Sequence, residues 1–174
     1  MVTLGLDIST TCVGYAFTKD KKILDMGFID IKKQKTPKEK VFKVLDFLND
    51  SSYIDEVIDI NVEDNLSGFA GGRTSQQTIV KLAKFNAILC FIIEDTFEVE
   101  VKNINPMTAR KNVFGKARIK GIKAKELVKM KIEEMYDTSK WCKETTRGNW
   151  DKRNIDAYDG LVMSLFEKKD WLIY

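Results

Sequence analysis

The chain has no histidine, two prolines, three cysteines and no long apolar run. Each shortage removes a class of mechanism. Without histidine, a Ser-His-Asp or Cys-His nucleophile lacks its base, and a zinc finger would need clustered cysteines. Cys12, Cys90 and Cys142 are odd in number and widely separated, so they form neither a disulfide framework nor a clustered ligand set, and they read as reduced, incidental thiols. Residues 87–93 are the strongest apolar run, too short to span a bilayer. The opening MVTLGLDIST shows no basic n-region or cleavage site, so the expectation is a cytoplasmic protein without membrane contact. Low-complexity tracts and internal repeats are also missing. With 44% hydrophobic and 32% charged residues in 174, the composition suits one globular domain over 1–174.

The charge distribution is uneven. Residues 102–131 hold ten Lys/Arg against the single acid Glu126, a net +9 in a chain whose total is +3, so the remainder carries −6. A basic stretch in an otherwise acidic protein is the footprint of a polyanionic partner. It is also what a solvated helix face looks like.

Hydrophobic patterning orders the elements. Residues 2–7, 12–18 and 23–31 read as three successive strands. Pro37 begins a helix over 37–49 with Val41, Val44, Leu45 and Leu48 at helical spacing, and 56–63 reads as a buried strand. A glycine-rich loop over 65–73 precedes a long helix at 74–94, with Ile79, Leu82, Phe85, Leu89 and Ile92 on its core face. A strand at 98–104, a short helix from Pro106 to about 113, a basic linker with Gly115 and Gly121, and helices at 124–136 and 154–168 complete the chain, with 137–151 irregular between the last two. Leu161, Leu165 and Phe166 face inward on the last helix. Strands first, then strands alternating with helices, indicate an α/β domain with a mixed sheet of about five strands flanked by helices.

Four carboxylates sit where such a sheet would gather them. Asp7 ends a first strand whose neighbours Leu4 and Leu6 make it central, and Glu63 ends another apolar strand. Asp156 and Asp159 are three apart near the start of the last helix and share one face, beside Ala157 and Gly160, small enough for that helix to approach the sheet closely. Singly, each acid is an ordinary strand-end or helix-start residue. Together they would repel one another and require cations. Oxygen-only ligands suit Mg²⁺ or Mn²⁺, and two such ions roughly 3.5–4 Å apart hydrolyse phosphodiesters without any histidine.

At these residues the sequence resembles the RuvC-like Holliday-junction resolvases of the RNase H-like nuclease superfamily. LGLDISTTCVGYA (4–16) resembles the family's first acidic strand and the turn after it. VEDNL (62–66) resembles the second acidic motif. NPMTARKNVFGKARIKGIKAKELV (105–128) resembles the basic region after strand five, and NIDAYDGLVMSLF (154–166) the C-terminal DAxDA motif, the most specific match.

The resemblance implies an RNase H-like fold, and Asp7, Glu63, Asp156 and Asp159 as catalytic ligands of two Mg²⁺ or Mn²⁺ ions. It implies a four-way junction as substrate and a homodimer formed through helix 74–94, whose outward lysines Lys81 and Lys84 would equally suit a solvated face. Arg110 or Lys111, with one of Lys120, Lys123 or Lys125, would contact phosphate, and Lys116 and Arg118 of the same segment join the DNA-binding set. Gly160 stands where the family usually has alanine, and the larger departure is GFAGG after Glu63, where Phe69 is the candidate for the aromatic that bacterial members insert at the junction. Arg73 beside it would reach a phosphate or simply start the helix. The loop 140–150 looks more like phage-encoded members, in which junction selectivity can be relaxed. Trp141 and Trp150 in it would stack on unpaired bases or pack against the last helix.

Other readings stay open. GLDISTT also resembles the phosphate-binding turn of actin-like sugar kinases and ATPases, which need two such domains. A flap or branch nuclease or an RNase H-type ribonuclease would share the metal chemistry, and a non-catalytic DNA-binding module would explain the charge but not DAYDG.

Overall fold

The structure, a computed structural model, describes residues 1–64 and 75–167. Its centre is a five-stranded sheet of β1 (Val2–Ile8), β2 (Cys12–Lys19), β3 (Lys22–Asp30), β4 (Val57–Glu63) and β5 (Val101–Ile104), in the order β3-β2-β1-β4-β5. β1 pairs antiparallel with β2 and parallel with β4, and β4 pairs parallel with β5. The mixed sheet with flanking helices is the architecture the sequence predicts. Its register fixes the site, because Leu6 pairs with Val62 and Asp7 with Gly14.

Side chains alternate across a strand, so β1 serves two cores. Leu4, Leu6 and Ile8 face one side with Val13, Tyr15 and Phe17 of β2 and Ile60 and Val62 of β4. Helices α1 (Pro37–Asn49) and α2 (Gln76–Phe97) cover that side. α1 starts where it does because Thr36 accepts from the Glu39 N–H while the Glu39 carboxylate accepts from the Thr36 N–H, a capping box with Pro37 in the first turn. α2 buries Phe85, Leu89 and Ile93; Ile92, expected on its core face, is half-buried beside Ile93. The helix runs on to Phe97, past the predicted end at 94, and closes on Glu98 in the left-handed conformation (φ 54°). Glu94 then accepts from the Val101 N–H at 3.0 Å, so the connection uses the residues assigned to the start of the strand and β5 begins at Val101. By length and composition alone α2 is also long and apolar enough to cross a bilayer, which the run 87–93 did not suggest.

The other face carries α5 (Asn154–Ser164), flanked by α3 (Pro106–Phe114) and α4 (Ala124–Met135). α5 lies on strand backbone. A Cβ on Gly5 would stand 2.1 Å from the Gly160 carbonyl oxygen, and one on Gly14 1.8 Å from that of Asp156. α5 ends at Ser164, short of the predicted 168, because the sheet takes its last carbonyls: Asn61 Nδ2 donates to Met163 O and Thr18 Oγ1 to Ser164 O, each at 3.1 Å. Gly14→Ala should therefore lower the thermal unfolding midpoint by several degrees, since overpacking costs about 1–3 kcal/mol and a domain of this size loses roughly 2–4 °C per kcal/mol. Circular dichroism against temperature checks this, and an unchanged midpoint would mean that α5 does not ride on β2.

Candidate active site

Alternation that sends Leu6 and Val62 to one core sends Asp7 and Glu63 to the α5 side, at the carboxyl ends of adjacent parallel strands. Asp159 descends on them from the second turn of α5. One oxygen from each of Asp7, Glu63 and Asp159 lies within 4.8 Å of the others. All three residues are buried, at 9%, 9% and 3% exposure. Asp156, the fourth predicted carboxylate, stands one turn earlier at the rim. Its Oδ1 takes an ion pair from Lys125 Nζ at 3.1 Å, and it is not among the three whose oxygens converge.

Three buried acids in contact oppose their own ionisation. Burial raises Asp7 well above the ordinary carboxylate range, reinforced by Glu63, Asp159 and Asp156. Burial and then Asp159 push Glu63 up to about 7. Asp159 rises to about 6 for the same first reason, with Arg110 and Lys125 pulling the other way. The relief is partial. Arg110 Nη2 lies 3.5 Å from Asp159 Oδ1, yet that oxygen, Glu63 Oε2 and Arg110 Nε have no hydrogen-bond partner among the described residues. Buried carboxylate oxygens aimed at one point without donors are what a hard cation needs, so the donor set fits Mg²⁺ or Mn²⁺.

The predicted basic residues divide. Arg110 on α3 and Lys125 on α4 reach the carboxylates. Lys111, Lys116, Arg118, Lys120 and Lys123 are exposed and form no ion pair with a cluster carboxylate. Arg118 leans on Met107 Sδ at 3.3 Å. Phe69 and Arg73, with the glycine-rich loop, lie outside the described residues. Trp141 and Trp150 take the packing alternative: both join the core under α5, and Lys129 sits 4.4 Å from the Trp150 ring. The Cys12 thiol beside Asp156 is pushed up to about 12 by burial and is no nucleophile.

Two features escaped the sequence reading. Tyr158, between the two aspartates, is fully buried, with its hydroxyl 2.7 Å from Thr138 Oγ1 and 3.2 Å from Glu133 Oε1. No local pattern marks such a partner. The other is a second basic stretch: residues 32–43 hold six lysines against Glu39 alone, a signal that charge counting in a shorter window finds.

No family model matches the chain, and no curated protein matches it by sequence. Among solved structures it is similar to Thermus thermophilus RuvC, with 16% identity, a TM-score of 0.61, and 94% of this chain and 91% of that one covered. It is also similar to T. thermophilus RuvC in complex with Holliday junction substrate, with 14% identity, a TM-score of 0.64, and 94% and 90% covered. At these identities the likeness shows the fold, which is RNase H-like.

The electrostatics carry a pH signature. Folded Glu63 and Asp159 hold protons to about pH 7 and 6, whereas in the unfolded chain they ionise near pH 4. The metal-free folded state thus binds more protons than the unfolded state over roughly pH 4–7 and loses stability as pH rises through that window. In EDTA, Glu63→Gln should change stability little at pH 4.5 and add about 1–3 kcal/mol at pH 8. Urea unfolding at the two pH values checks it; an equal gain at both would rule out a charge origin.

Proposed function

We propose that the protein is a divalent-cation-dependent endonuclease that resolves four-way DNA junctions by paired, symmetric nicks. The observation that carries this reading is the convergence of Asp7, Glu63 and Asp159 on one buried point, where Glu63 Oε2 and Asp159 Oδ1 accept no hydrogen bond among the described residues, on a fold similar to that of a protein solved with Holliday junction substrate.

Asp7, Glu63 and Asp159, joined at the rim by Asp156, would hold two Mg²⁺ or Mn²⁺ ions. Such ions supply an activated water and stabilise the leaving oxygen of an in-line displacement. The chain's own residues do the rest. Burial keeps bulk water from the carboxylates and strengthens every charge interaction among them. Arg110 holds Asp159 toward the cluster and offsets part of its negative charge. Lys125, exposed at the rim beside Asp156, stands where a phosphate oxygen would arrive. Lys111, Lys116, Arg118, Lys120 and Lys123 extend that positive surface and position the backbone without reading sequence.

Paired nicks require two sites related by a two-fold axis. The C-terminal half of α2 offers the surface: Phe91, 70% exposed, lies with Ala87 on its outward side, away from the buried Phe85, Leu89 and Ile93 and beyond Lys81 and Lys84 of the N-terminal half. An apolar stripe of this kind marks an interaction site, and the partner proposed for it is a second copy of the chain.

The test incubates purified protein with end-labelled four-way junction, splayed duplex and linear duplex, in Mg²⁺ or in EDTA. Paired junction nicks should vanish in EDTA and fall at least about a hundredfold in Asp7→Asn. Equal cutting of all branched forms would replace junction resolution with broader branch cleavage. Binding without cutting in either Mg²⁺ or Mn²⁺ would leave a DNA-binding module. In sedimentation experiments Phe91→Glu should shift the protein from dimer to monomer; a dimer that survives would place the interface elsewhere.

A further inference from the structure

The lysines of 32–43 do not lie on a featureless surface. A groove of about 570 Å³ runs between the start of α1, the turn joining β1 to β2, and the N-terminal half of α2. Lys35 and Lys40 line it from the α1 side, Lys81 and Lys84 from α2, with Thr10 and Thr78 between them. Its base includes the apolar Phe85 and Ile88.

The positive charge there is uncompensated. No ion pair among the described residues involves any of these four lysines. Glu39, the one acid of 32–43, accepts from the backbone N–H groups of Lys35 and Thr36. The acids of α2, Glu94 and Asp95, sit at its far end. Ammonium groups from two helices facing one groove repel each other, and an anion lying between them relieves the repulsion. Lys40 Nζ donates to the Thr10 carbonyl, which ties this group to the turn that follows β1. Asp7 is three residues before Thr10, so their Cα atoms lie within about 11 Å. The Thr10 end of the groove therefore lies close to Asp7 in the chain, on the face of the sheet that α1 and α2 cover, while Arg110 and Lys125 reach the carboxylates from the α5 face.

We propose that this groove binds the phosphodiester backbone of DNA, as a second contact track on the other side of the carboxylate cluster from the 110–125 segment. The proposal rests on the nuclease reading of that cluster. A backbone crossing the lip of the sheet meets lysines on both sides, with the scissile phosphate between. Hydroxyls and ammonium groups contact phosphate oxygens without reading bases, and the apolar base suits the deoxyribose between phosphates.

The experiment measures binding of a fluorescent four-way junction by anisotropy in EDTA, across a salt series, for wild type, Lys81→Gln/Lys84→Gln, Lys81→Arg/Lys84→Arg and the distant control Lys19→Gln. Loss of two phosphate contacts should make the dependence of log K on log salt shallower by about two and weaken binding roughly tenfold near 0.1 M salt. The arginine pair and Lys19→Gln should keep the wild-type slope. If the wild type binds and the glutamine pair keeps its slope and affinity, the groove is not a DNA track although the nuclease reading stands. If the wild type binds no DNA at all, both fall. Co-sedimentation with anionic phosphatidylserine vesicles, lost in the glutamine pair while junction binding is unchanged, would overturn the proposal in favour of a lipid surface.

Discussion

The approach of α5 to the backbone of β1 and β2 is the constraint on which the remaining geometry depends. Gly5 and Gly14 leave no side chain between strand and helix, and Gly160 continues the same close contact from the helix side. Asn61 and Thr18 then hold the helix by its last carbonyls. Only a helix seated this low brings Asp159 down to oxygens at the ends of β1 and β4. A layer of ordinary side chains would add several ångströms and leave three unrelated acids.

That seat has an electrostatic cost. Carboxylates held within 4.8 Å in a buried site resist ionisation, and the fold answers only in part, with Arg110 against Asp159 and Lys125 against Asp156. The imbalance is informative. A structural ion-pair network would satisfy its oxygens, whereas here Glu63 Oε2 and Asp159 Oδ1 accept no hydrogen bond among the described residues. Stability is given up at the place where a cation would restore it, as expected of a functional site.

The same asymmetry extends outward. Negative charge is concentrated inside the lip of the sheet and lysine or arginine around it, so an anionic polymer would be attracted from both faces and repelled from the centre unless cations sit there. On the proposed nuclease reading, charge alone would couple the approach of DNA to metal loading.

Much of this was legible in the sequence. Strand alternation and helical spacing placed nearly every element, because those periods are local consequences of backbone geometry. They also placed Asp7 and Glu63 at strand ends and Asp156 and Asp159 on one helical face. Boundaries moved where non-local groups intervened: α5 stops early because Asn61 and Thr18 take its carbonyls, and β5 starts late because Glu94 caps the connection. Only the tertiary structure decided that Asp159 rather than Asp156 joins the two strand acids, that both loop tryptophans pack inward, and that lysines of α1 and α2 share one groove. Each of these depends on distances between segments far apart in the chain, set by how closely helices seat on the sheet, and no periodicity encodes such a distance.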